Sequence, residues 1–262
     1  MLVQRFISGL LAASGAGVFV WLGGFPFLVL ISSAVWIGAD EYYRLVARNR
    51  CKPMRGLLLT GAVAIPILAH IFGPEYLGAA AVAALIVPAL FTLFYYGKYT
   101  VIDAITTTYG ILYVGLLFSF LILLRRLPGG IGLVALALVA TWACDITAYF
   151  VGVNFGRRKL CPTISPNKTV AGAWGGLVGS IAGLTAVGLY LHLPILHLLL
   201  LGTVTGLAAE VGDLVESALK RYAGAKDSGR LLPGHGGILD RCDSLIFAAP
   251  VVYYYLTAFI IN

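Results

Sequence analysis

Residues 169–209 read TVAGAWGGLVGSIAGLTAVGLYLHLPILHLLLLGTVTGLAA, from Thr169 to Ala209 without one Asp, Glu, Lys or Arg. A bilayer-crossing helix needs about 20 apolar residues. This run is long enough for two, and Pro194 near its middle marks the break, because proline ends or kinks a helix. The rest of the chain is similar. It has 262 residues, 60% of them hydrophobic and 11% charged, against roughly 25% charged in an ordinary soluble domain. Mean hydropathy is +0.94. These values exclude a soluble globular enzyme, a disordered tail and a nucleic-acid module.

Apolar spans fall at 6–22, 25–39, 56–73, 76–97, 104–124, 130–155, 172–191, 194–220 and 243–261. They predict an all-α, polytopic integral-membrane bundle of about nine helices. The first two are short and meet at Gly23-Gly24-Phe25-Pro26, a turn signal; a re-entrant pair is the alternative there. Residues 1–127 read as scaffold helices facing lipid, and 128–262 as the catalytic membrane region. The net charge is +7. With the N-terminus inside, every Lys and Arg except Arg125 and Arg126 falls on the cytoplasmic side, as the positive-inside rule expects. The expected location is the inner cell membrane, with the active site facing the cytoplasm. The four cysteines form no C-x-x-C pair and read as reduced thiols.

Four carboxylates lie inside apolar spans: Asp145, Glu210, Asp213 and Glu216. A carboxylate at mid-bilayer costs about 2.5–3.5 kcal/mol, so it faces a partner or a wet cleft. Glu210, Asp213, Ser217 and Lys220 share one helix face by their spacing. Beyond that helix the chain reads Ser217-Ala-Leu-Lys220-Arg221, then Lys226-Asp227-Ser228-Gly229-Arg230, then Pro233-Gly234-His235-Gly236-Gly237-Ile-Leu-Asp240-Arg241-Cys242-Asp243. Glycines that turn N–H groups toward an anion, cations for phosphates and carboxylates for Mg²⁺ suit phosphoryl or nucleotidyl transfer. An earlier block holds Asp145, Tyr149, Gly156-Arg157 and Ser165-Pro166-Asn167-Lys168-Thr169. Hydroxyls and a lysine at a helix start are a phosphate seat.

At these residues the sequence resembles the phosphatidate cytidylyltransferase (CDP-diacylglycerol synthase) family. Ser217 through Asp243 fill that family's Ser-x-x-Lys-Arg…Lys-Asp…Pro-x-His-Gly-Gly-x-x-Asp-Arg-x-Asp signature, and the upstream block resembles its Asp-x-x-Ala-Tyr…Phe-Gly-Arg…Ser-Pro-x-Lys-Thr pattern. Ala171 departs from the Glu or Gln usual there. The resemblance implies that CTP and phosphatidate give CDP-diacylglycerol and pyrophosphate, with Mg²⁺ on Asp213 and Asp240, and homodimers. A second, monovalent cation such as K⁺ is a further expectation, and nucleic acid is not an expected partner.

Within that chemistry Asp213, Asp240, Lys226, His235 and Arg241 are the catalytic candidates. Asp145, Ser165, Lys168, Thr169, Ser217, Lys220, Arg221, Asp227, Gly236, Gly237 and Asp243 are the substrate-binding ones. Lys220, Arg221, Lys226 and Arg241 would hold phosphates, and His235 would donate to a phosphate oxygen or the leaving group. Two other readings compete: a CTP-dependent lipid-alcohol kinase of the dolichol kinase type, and an ion or phosphate transporter. The long signature weighs against the first. The lack of an internal repeat weighs against the second.

Overall fold

The computed structural model describes residues 14–49, 51–229 and 236–261. Among these, eight helical segments are long and apolar enough to cross a membrane. The protein is an all-α, multi-pass membrane protein. Of the expected spans, 6–22 lies partly outside the described residues; its part 14–22 is helical. The next span is not short. Helix α1 (Gly24–Val46) runs a further two turns past residue 39, carrying Asp40, Glu41 and Arg44. Gly23, at φ 63°, makes the break before it, a conformation open to glycine at little cost.

The helices that follow are α2 (Arg55–Phe72), α3 (Leu77–Phe94), α4 (Val101–Gly110) and α5 (Leu117–Arg126), the last two joined by a π-helical turn at Ile111–Leu116. Then come α6 (Gly130–Phe155), strands β1 (Lys159–Cys161) and β2 (Ser165–Thr169), α7 (Val170–Tyr190), α8 (Ile195–Tyr222) and α9 (Leu239–Phe259). The small antiparallel hairpin pairs Lys159 with Thr169 and Cys161 with Ser165. The sequence reading expected only a loop there. The break near Pro194 is present: α7 ends at Tyr190, and His192 takes a positive φ of 59° in the turn.

The chain forms two compact units. One is Met1–Arg126 with Leu219–Arg241; the other is Leu127–Ala218 with Cys242–Asn262. In the first, the segment Val101–Arg126 is central, with 72% of its apolar window buried against 28–39% for the other spans. The rest leave most of their apolar surface unburied within the protein. Thr100 starts α4 through a reciprocal capping box with Asp103. Arg125 donates to the carbonyls of Val20 and Trp21. Arg126 donates to those of Ala69 and His70 in the last turn of α2. The two arginines that stood apart in the charge map therefore donate to carbonyls at helix C-termini, where cations are favoured.

The second unit is built on α6 and α7, which cross at small residues. A side chain at Gly172 would meet the Ala148 carbonyl at 2.9 Å, and one at Gly179 the Ala143 carbonyl at 2.6 Å. Such close approach of backbones is how membrane helices gain packing without a hydrophobic driving force between them.

Candidate active site

Two groups of polar residues stand out, one in each unit. In the second unit a cavity of about 620 Å³ is lined by residues of α6, the hairpin, α7 and α8, among them Asp145, Tyr149, Lys168, Thr169, Glu210 and Asp213. The hairpin brings Lys168 to its wall. Lys168 Nζ lies 2.6 Å from Asp213 Oδ2. Ser217, one turn on along α8, donates to Asp213 Oδ1 at 3.3 Å. Thr169 is the N-cap of α7, its hydroxyl accepting from the Gly172 N–H at 3.0 Å. That helix start is two residues earlier than the expected one. Asp145 Oδ1 accepts from Ser244 Oγ at 3.4 Å. Glu210 Oε1 is buried and has no hydrogen-bond partner among the described residues. It sits beside Gly176, where any side chain would press on it. Ser165 is in β2, and Arg157 and Arg158 are exposed before β1.

In the first unit the signature segment folds around Asp240, the second residue of α9. Its Oδ1 accepts from Lys220 Nζ at 2.7 Å. Its Oδ2 accepts from the Ser228 N–H, the Ser228 hydroxyl and the Gly237 N–H, each at 2.8 Å. Gly236, at φ 81°, lies against the same carboxylate, leaving no room for a Cβ. Lys226 and Asp227 are exposed, as are Arg221 and Arg241. Arg221 donates to the Ala225 carbonyl at 3.3 Å. Asp243, in the second unit, accepts the Ser244 N–H at 2.8 Å. His235 lies outside the described residues.

Sequence reasoning missed Glu41. It is 6% exposed and accepts from the Ile238 N–H at 3.0 Å, the Leu239 N–H at 2.9 Å and the Ser228 hydroxyl at 3.1 Å. The available signal was a carboxylate followed by Tyr42-Tyr43 and Leu45-Val46, an apolar stretch that continues the span. Among the other histidines, His197 meets the Tyr255 hydroxyl at 3.1 Å, a structural contact.

A family model described as the cytidylyltransferase family matches residues 3–259. The chain belongs to this family. Similar proteins named phosphatidate cytidylyltransferase include one from Bacillus subtilis (strain 168), 36% identical over 98% of each chain. One from Synechocystis sp. is 34% identical, covering 98% of this chain and 97% of its own. One from Pseudomonas aeruginosa is 40% identical, covering 96% and 95%. As a cytidylyltransferase the protein is a nucleotidyltransferase, and its polar groups can be weighed for that chemistry.

No three His, Cys, Asp or Glu side chains among the described residues converge on one ion position. Mg²⁺ does not require them, since it is held by one or two carboxylates together with substrate phosphates and water. The cavity offers hard oxygen donors at Asp213, Asp145 and Glu210, one of them without a partner. These residues fit a divalent ion. Asp240 is more heavily engaged, with both oxygens accepting hydrogen bonds.

Proposed function

We propose that this cytidylyltransferase transfers the cytidylyl group of CTP to phosphatidate, giving CDP-diacylglycerol and pyrophosphate. The observation that carries the reading is the pairing of lysines with the two candidate metal carboxylates, Lys168 with Asp213 and Lys220 with Asp240. Each pair can separate onto a polyphosphate and a cation without change in net charge. An enzyme joining two phosphate-bearing substrates needs this behaviour twice.

A phosphatidate phosphate oxygen attacks the α-phosphorus of CTP in line. The bond from that phosphorus to the bridging oxygen breaks, and pyrophosphate leaves. The nucleophile is already anionic, so no strong base is required. The protein's task is positioning and charge neutralisation. Lys168, with Thr169 at the start of α7 and Ser165 in β2, takes the phosphatidate headgroup. Lys220, Arg221, Lys226 and Arg241 take the phosphates of CTP, and His235 donates to the leaving group. Ser217 orients Asp213 and Asp145 lines the same cavity, Asp227 and Asp243 are further candidate substrate contacts, and Gly236 and Gly237 let the chain turn closely around Asp240. Asp213, and Asp240 once Lys220 moves onto phosphate, would each offer an oxygen to Mg²⁺, and K⁺ is a candidate second ion. A divalent ion bound there supplies Lewis-acid stabilisation of phosphate charge. The enzyme works in the inner cell membrane, and the family resemblance implies a homodimer; the distribution of Lys and Arg supports a site facing the cytoplasm.

Purified protein in detergent is given phosphatidate, Mg²⁺ and CTP labelled at either the α or the γ phosphorus. Label from the α position should enter lipid. Label entering only from the γ position would make the protein a lipid kinase, and none entering would end the reading. Cysteine labelling should place Lys226 and Arg157 each on the cytoplasmic face; either one outside would overturn that orientation.

A further inference from the structure

The described flanks of the signature loop, Lys226–Gly229 and Gly236–Arg241, are separated in sequence yet meet one turn of α1. Glu41 binds both. Its carboxylate takes the Ile238 and Leu239 N–H groups at the start of α9 and the Ser228 hydroxyl across from them. Those two N–H groups have no acceptor within α9, and a negative charge is favoured at a helix N-terminus. The fit is tight. A side chain at Gly229 or at Gly237 would fall on the Glu41 carboxylate. Leu239, fully buried, packs on Gly38 one turn before Glu41 on α1. The contact then passes inward: the Ser228 hydroxyl lies 3.1 Å from Glu41 and 2.8 Å from Asp240, and Asp240 meets Lys220 at 2.7 Å.

We propose that Glu41 is the positioning residue of the signature loop. It holds the two flanks in register so that Lys220, Asp240 and the cations beside them face the polyphosphate together. This rests on the reading under Proposed function for what the loop binds, though not for the clamp itself. Glutamine at this position keeps one carbonyl acceptor, but its NH₂ group faces one of the two backbone donors at the start of α9, so one of those two contacts is lost.

Two measurements test it in the full-length protein in detergent: steady-state kinetics with CTP and phosphatidate, and backbone hydrogen exchange at residues 236–241. Glu41→Gln should speed exchange there, raise KM for CTP and lower kcat, together by about 10–100-fold in kcat/KM, the usual scale of loss from misplaced groups. KM for phosphatidate should move much less. Glu41→Asp, which keeps the charge, should restore part of kcat. Asp40→Asn removes the ion pairs to Arg44 and Arg55 and should leave both measurements as in wild type. Should Glu41→Gln fail to fold, Glu41→Asp is read in the same way, with a smaller loss expected. Faster exchange with wild-type kinetics would reduce Glu41 to a helix cap, and unchanged exchange would overturn the clamp. A wild type that forms no product would defeat the proposed reaction, and the exchange data alone would then decide the role of Glu41.

Discussion

The Lys220–Asp240 pair and the Lys168–Asp213 pair are chemically alike and differ in their surroundings. Around Asp240 the carboxylate accepts from one ammonium, one hydroxyl and two backbone N–H groups, and the pair's side chains are 14% and 9% exposed. Around Asp213 there is one ammonium and one long hydroxyl contact, the side chains are 25% and 31% exposed, and an open cavity adjoins. The first carboxylate is part of how its loop holds shape. The second is a loosely held charge beside space for a ligand. Two residues of one type, in one expected role, thus divide into a structural anchor that also carries charge and a receptive site.

The sharpest way to break this comparison is to neutralise each carboxylate. Asp213→Asn should lower kcat by about 10³-fold, the scale of losing a main electrostatic contact in a transition state, and leave the thermal midpoint in detergent unchanged. Asp240→Asn should also abolish turnover, but with a fall in that midpoint, because an amide sets an N–H₂ group against donors now facing a carboxylate. Breaking such a buried arrangement costs about 3 kcal/mol. Equal midpoints for the two variants would erase the distinction drawn between the pairs.

The next test concerns Lys168. A charge-assisted contact is worth about 1.5–3 kcal/mol, so Lys168→Ala should raise one substrate's KM by about tenfold and lower kcat, phosphatidate being the expected substrate. Lys168→Arg should rescue partly, since a planar fork cannot reproduce a point charge. Unchanged kinetics for both substrates would leave the second unit's cavity without a role in catalysis. The smallest effect is expected from Glu210→Gln, an isosteric change at an oxygen with no partner. It should raise the Mg²⁺ concentration for half-maximal rate by about threefold, through loss of one hard donor. A larger loss than for Lys168→Ala would move the centre of the site toward Glu210.

Much of this is legible in the amino-acid sequence. The charge-free run 169–209 fixed two helices and their break, and the remaining spans followed from the same rule. The signature residues cluster in sequence, so the segment around Asp240 could be recognised as chemistry. Three features could not be read. Glu41 lies two residues past the expected end of its span, where a carboxylate looks like an interfacial group, and its partners are nearly 200 residues away. The hairpin at 159–169 has strands of three and five residues, containing Pro166 and lacking alternation. The depth of engagement of Asp240 depends on backbone N–H groups, which leave no mark on residue identity.

Arg125 and Arg126 have a consequence for how the chain is made. Each guanidinium is received by carbonyls that precede it in sequence, those of Val20 and Trp21 for one and of Ala69 and His70 for the other. As the polypeptide emerges, both acceptor helix ends are synthesised before the charges that close them. Neither arginine therefore has to wait for an acceptor segment still inside the ribosome.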